Sequence, residues 1–149
     1  CYLLKWGDSL KLRTYPDTFN LSGHESWIPR FIDENEDYIV MRQGCGSPCW
    51  IGYFLPINDS LRPRSFNESL DYDLNNDLVA YIKVPNAIEI FNLKTKSIED
   101  HLILGCTSAF AGYCIDNLSI NDKTLRYKKI PSEDMSSSSE QIVIEKIKI

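Results

Sequence analysis

Cysteine is the most reactive side-chain type in this sequence, and its spacing is the first pattern that carries chemistry. Five cysteines stand at Cys1, Cys45, Cys49, Cys106 and Cys114. Four of them make two local pairs, Cys45-Gly-Ser-Pro-Cys49 and Cys106…Cys114. Gly44, Gly46 and Pro48 bracket the first pair, and Gly105 and Gly112 the second. A staple across a tight turn suits the short Cα separation that a disulfide requires. The expected bridges are therefore Cys45–Cys49 and Cys106–Cys114, with crossed pairing between the two loops as the alternative. Paired cysteines persist in oxidising compartments, so the expected location is periplasmic or secreted. Zinc fits less well, because C-x3-C and C-x7-C lack the repeated short spacing of structural zinc sites. Thiol redox catalysis also fits less well. It uses C-x-x-C at a helix N-terminus, whereas this spacing is longer and its surroundings read as strands.

Cys1 is the unpaired cysteine. A chain that starts at cysteine rather than Met is the start expected after removal of a leader, and Cys1 matches the acylated first residue of a bacterial lipoprotein. Cys1 is thus a candidate lipid anchor and membrane tether. Tyr2-Leu3-Leu4-Lys5-Trp6 points the other way, since it reads as a packing segment rather than a flexible polar tether. Four N-x-Ser sequons, at Asn20, Asn58, Asn67 and Asn117, suit a secreted setting of a different kind.

Other reactive groups are sparse. The histidines are His24, in a Ser/Gly loop, and His101, which follows Asp100 in a strand-like stretch and reads as a structural or surface residue. No G-x-S-x-G, H-E-x-x-H or P-loop pattern occurs. The expectation is a protein without catalytic residues, cofactor or resident metal. Asp71-Tyr72-Asp73-Leu74-Asn75-Asn76-Asp77 places oxygen ligands at alternate positions, which suits calcium. An EF-hand would need Gly at the sixth place and Glu at the twelfth, where Asn76 and Ile82 stand. Asp33-Glu34-Asn35-Glu36-Asp37 is a second acidic run, and both runs read as solvated loops that could complement a basic partner.

The segment Cys106-Thr107-Ser108-Ala109-Phe110-Ala111-Gly112-Tyr113-Cys114 is uncharged between its cysteines. Closed by a disulfide, it would be preorganised for binding. Thr107, Ser108 and Ala109 are small enough for a narrow cleft, and Phe110 or Tyr113 would serve as an anchor. Folding back onto the core is the alternative fate of this loop.

The elements that must position these groups are strands. Leu10–Tyr15 alternates apolar and polar residues after a Gly7-Asp8 turn, and Tyr38–Met41 is a continuous apolar run. Trp50–Leu55 ends at Pro56, and Leu78–Val84 ends at Pro85-Asn86. Ala87–Phe91 and Ser97–Ile103 read as an antiparallel pair across Asn92–Lys96. Cys114–Ile120 and Leu125–Ile130 flank an Asn121-Asp122-Lys123 turn, and Gln141–Ile149 is strand-like. A helical turn is expected only within Asn67–Asn76. Pro131–Glu140, with four consecutive serines, reads as a flexible loop. Ile51-Gly52-Tyr53-Phe54 and Ile88-Glu89-Ile90-Phe91 lie about 37 residues apart in similar settings, the interval of a propeller-blade repeat. The predicted architecture is all-β: one domain over residues 1–149, built of antiparallel sheets as a sandwich or partial propeller-like stack, with little helix and disulfide-stapled loops.

Lys and Arg number 16 against 21 Asp and Glu, a formal charge of −5. That balance disfavours nucleic acid, whose affinity comes from cations meeting phosphate, and favours a basic protein partner. In size, implied leader, β-rich character and a small-residue loop containing Ser108, the chain resembles periplasmic immunity proteins that neutralise amidase effectors of type VI secretion. The resemblance implies an inhibitor that occludes the cleft of a basic enzyme or toxin with Thr107-Ser108-Ala109. A surface or periplasmic lipoprotein domain with a structural, sugar- or calcium-binding role is the alternative, with Trp6, Trp27 and Trp50 as a stacking surface.

Overall fold

The Asn and Asp residues that punctuate the apolar runs determine where strands stop. A computed structural model describes residues 5–7, 12–14, 28–46, 49–83, 86–103, 114–130 and 141–149. Thirteen strands run through them, with no α-helix among the described residues. The protein is all-β, and its strands form several antiparallel sheets. Contacts gather into two compact units, 1–67 and 68–149, within the span that the sequence reads as one β-rich domain.

In the first unit, β1 (Lys5–Gly7) pairs with β2 (Leu12–Thr14). A four-stranded meander follows: β3 (Arg30–Glu34), β4 (Tyr38–Gly46), β5 (Cys49–Pro56) and β6 (Arg64–Asn67). The hairpin is tied to this meander by the polar contacts of two side chains. Trp6 Nε1–H donates to the Pro56 carbonyl at 2.8 Å, and Arg13 reaches Asp59 at 2.8 Å and the Ile57 carbonyl. Trp6, Tyr53 and Leu55 form a small core that Ile39, Met41 and Ile51 flank. Phe54 and Phe66 meet edge to face, with ring centroids 5.7 Å apart.

The second unit opens with another four-stranded meander: β7 (Ser69–Asp73), β8 (Leu78–Lys83), β9 (Ala87–Asn92) and β10 (Ile98–Leu102). A three-stranded sheet of β11 (Ile115–Asn121), β12 (Thr124–Lys129) and β13 (Gln141–Lys146) completes it. Leu78, Ala80, Ile82, Ile88 and Ile90 from the meander share one core with Ile115, Ile120, Leu125 and Tyr127 from the smaller sheet. Every residue of β9 is buried, as its continuous apolar character predicts for a central strand. The two similar tetrapeptides fall in β5 and β9, the third strand of each meander.

Hairpins open with the same device. Asn35 Oδ1 accepts the Asp37 and Tyr38 N–H groups, and Asn58 Oδ1 that of Ser60. Asp73 Oδ1 accepts from Asn75 and Asn76, and Asn92 Oδ1 from Lys94 and Thr95. A short side-chain acceptor mimics the backbone turn and satisfies amides that no ladder reaches. These four turns join the first strand to the second, and the third to the fourth, in both meanders.

Two sequence expectations are corrected. The helical turn expected within Asn67–Asn76 is replaced by the end of β6, the whole of β7 and a turn. Tertiary pairing of β7 with β8 overrides the local pattern there, and Glu68 adopts a positive φ of 55° between β6 and β7. The acidic run at 33–37 is only partly loop, because Asp33 and Glu34 belong to edge strand β3. The segment 131–140 lies outside the described residues.

Asp122 and Lys123 both have positive φ, 46° and 55°, in the two-residue connection between β11 and β12. Such a turn matches the twist of the hairpin but favours Gly at its second position. Lys123→Gly is therefore expected to stabilise the protein by about 0.5–1 kcal/mol, read as a higher urea midpoint with an unchanged m value.

Candidate functional site

The segment singled out for binding is held at both ends by the second unit. On one side, β10 runs into Ile103, which is fully buried and donates its N–H to the Asn86 carbonyl at 2.8 Å. On the other, buried Cys114 precedes β11 and accepts the Ile130 N–H at 2.9 Å. Both residues belong to the shared core of the unit. Thr107, Ser108, Ala109, Phe110, Tyr113 and Cys106 lie outside the described residues, as do Cys1, His24 and Trp27. Cys45 and Cys114 are each disulfide-bonded. Cys45 sits where the β4–β5 register shifts, between the pairs Gly44–Trp50 and Gly46–Cys49.

The Asp71–Asp77 run uses its carboxylates within the fold. Asp71 Oδ2 accepts the Ile120 N–H at 2.8 Å, joining β7 to β11. Asp73 organises its turn and also accepts from Asn76 Nδ2 at 2.8 Å. Asp77 pairs with Lys94 at 3.2 Å. Among the described residues, no group of His, Cys, Asp and Glu gathers as metal ligands would. The tryptophans also separate in role. Trp6 is a core residue of the first unit, whereas Trp50 is 43% exposed and carries the Arg42 guanidinium 4.2 Å from its ring centroid. That stacking is a cation–π contact across the β4–β5 ladder.

The sequence did not single out two ionisable clusters of the second unit. On one face of β9–β10, Glu89 stands directly opposite Asp100. Lys83 Nζ reaches Glu89 at 2.8 Å and Asp100 at 3.0 Å. Burial pushes the Glu89 carboxyl above its ordinary value, and the charge and hydrogen bond of Asp100 push it the same way. On the opposite face, His101 lies between Glu99 and Glu145. Strand alternation puts Glu99 and His101 on one face from sequence alone. Glu145 reaches them only through the packing of a strand far along the chain.

Apolar side chains also remain on the surface. Phe31 and Ile32 stand exposed on β3, and Ile142 and Ile144 on β13, each an edge strand of its sheet. No helix among the described residues is long and apolar enough to cross a membrane. No protein-family model, curated protein or solved structure matches the chain. The class these observations define is an all-β protein of antiparallel meanders, with Ile103 and Cys114 in the core of its second unit.

The Glu89 carboxyl makes a signed prediction. Its folded-state value lies above the ordinary 4.5, so the native state holds this proton more tightly than the unfolded chain does. Its contribution to stability is complete below 4.5 and is lost as pH rises through the raised value. Glu89→Gln keeps the neutral shape, removes the repulsion with Asp100 and leaves Lys83 paired to Asp100. We expect it to raise Tm by about 2–4 °C at neutral pH and to flatten the fall above 4.5. Thermal melts across that range check both effects.

Proposed function

We propose that this chain is a protein-binding domain of the inhibitor or immunity type, which acts by occluding the active-site cleft of a partner enzyme. The observation that carries the reading is the anchoring of Ile103 and Cys114. Two buried, hydrogen-bonded residues of one core stand immediately before and after the segment 104–113. A segment fixed at both ends loses less conformational freedom on binding, so more of its contact energy appears as affinity.

In this proposal Cys106–Cys114 closes the inserting loop and Cys45–Cys49 staples the β4–β5 turn. The disulfide-bonded state of Cys45 and Cys114 supports oxidation of both regions. Local pairing also keeps each bond within one compact unit. Thr107, Ser108 and Ala109 enter the cleft, with Phe110 and Tyr113 as flanking anchors. The partner is a basic enzyme or toxin, drawn by the net charge of −5. The setting is periplasmic or secreted, and the domain itself does no catalysis. The two meanders share strand order and turn chemistry, each within its own unit.

A pull-down from secreted and periplasmic fractions, with wild type and Ser108→Arg side by side, tests this reading. One basic enzyme retained by the wild type and weakened at least about tenfold by Ser108→Arg, with an unchanged melting curve, is the expected result. Equal retention by both proteins removes the loop from the interface. Retention of nothing removes the inhibitor reading.

A further inference from the structure

In the first unit, β3, β4 and β5 bring two arginines and a tryptophan together on one sheet face. Register sets Arg30 of β3 directly opposite Arg42 of β4, and residues directly opposite in an antiparallel pair share a face. Gly52 of β5 stands opposite Arg42, and Trp50 stands opposite Gly44, so strand alternation puts Trp50 on that face too. The Arg42 guanidinium, 4.2 Å from the Trp50 ring centroid, agrees with this placement. Gly44 and Gly52 carry no side chain, which leaves bare backbone beside both the ring and the guanidinium. Arg30 is exposed, and Trp50 and Ile28, two residues before Arg30, are each 43% exposed.

Like charges directly opposite each other destabilise a ladder. Here two guanidiniums are set so across β3 and β4, and among the described residues neither meets a carboxylate. The same face carries Arg64, opposite Phe54, and Asp33, opposite Val40 beyond the β3 bulge. One Asp33 oxygen accepts the Glu34 N–H at 2.9 Å. On this face of β3–β6, three arginines therefore stand with one aspartate, in a chain whose net charge is −5.

A ring face attracts the charge of a guanidinium but offers no lone pair to its five N–H donors. Those donors form a fork that matches the two oxygens of a carboxylate. A carboxylate set between Arg30 and Arg42 replaces their repulsion with charge-assisted contacts to both. We propose that the face carrying Arg30, Arg42 and Trp50 is a docking surface for an acidic peptide segment of a partner protein. Its carboxylates are held by the two guanidiniums, beside the exposed indole. Charge complementarity selects this occupant, because the like-charged pair is the feature of the face that an anion relieves. The inference uses residues of the first unit alone and does not depend on the cleft-occluding reading.

Calorimetric titration of the full chain with hexaglutamate at about 50 mM salt tests the surface, since screening of exposed charges is weaker there than at physiological salt. The wild type is expected to bind. Arg30→Gln and Arg42→Gln are each expected to weaken binding at least about fivefold, with an intact thermal melt. A change in tryptophan emission on binding that Trp50→Phe abolishes places the peptide beside the ring. Arg62→Gln removes a positive charge from the connection between β5 and β6, outside the face, and is expected to bind as the wild type does. If Arg42→Gln fails to fold, Arg30→Gln at its exposed edge position carries the test. Three results overturn the proposal. The first is a wild type that does not bind hexaglutamate. The second is Arg62→Gln weakening binding as much as Arg30→Gln, which makes the attraction diffuse. The third is binding that appears only when Asp17→Asn and Glu25→Gln remove carboxylates that precede β3 in the chain, which makes the occupant the protein's own.

Discussion

The architecture of residues 68–149 depends on one constraint: the central β8–β9 ladder must be covered on its apolar face. Leu78, Ala80, Ile82, Ile88 and Ile90 are at or near zero exposure, and a single four-stranded sheet cannot bury them alone. The β11–β13 sheet supplies the cover through Ile115, Ile120, Leu125 and Tyr127. Full burial of one such aliphatic side chain is worth about 1.5–3 kcal/mol, so this interface outweighs any single polar contact in the unit. Polar groups act instead on geometry. Asp71 ties β7 to β11, while His101 ties β10 to β13 and Glu99 ties it to Lys148 two residues beyond, so the sheets are joined through both outer strands of the meander.

Turn chemistry explains why the chain makes two similar meanders. Asn35, Asn58, Asp73 and Asn92 each satisfy amides at the start of a hairpin connection. A short acceptor at that point fixes the turn, and the turn fixes the register of the strands it joins. Register then decides which residues meet. Glu89 faces Asp100, and His101 faces Ile88, only because Asn92 sets the β9–β10 connection. The unusual environments of Glu89 and His101 thus trace to an asparagine that touches neither.

Much of this was legible in the sequence. Strands β4, β5, β8, β9, β10, β12 and β13 follow directly from apolar runs bounded by Asn, Gly or Pro. The relation between Ile51–Phe54 and Ile88–Phe91 marked the third strand of each meander. Strand β3 was not legible, because its Asp33 and Glu34 read as loop and every one of its residues is exposed. Strand β7 was hidden for a related reason. Its polar residues Asp71 and Asp73 serve a long-range capping bond and a turn, partnerships that local spacing does not encode. The His101 cluster was half legible, since alternation pairs Glu99 with His101 while Glu145 arrives only through tertiary packing.

The same distinction separates the residues that build the fold from those left for recognition. The Asp71–Asp77 run offers oxygen ligands in the sequence, yet Asp71 and Asp73, like Asn92, each have a side-chain oxygen occupied by backbone amides of this chain. An acceptor already engaged by a buried or turn amide leaves that amide unsatisfied if it turns to a ligand, at a cost of about 1–3 kcal/mol. Recognition is therefore cheapest where the fold makes no such demand. In the sequence, the stretch between Ile103 and Cys114 carries none of the Asn or Asp residues that set these turns, and Ile103 and Cys114 themselves are core residues. The polar residues that define strand ends are thus the ones whose acceptors the fold itself consumes.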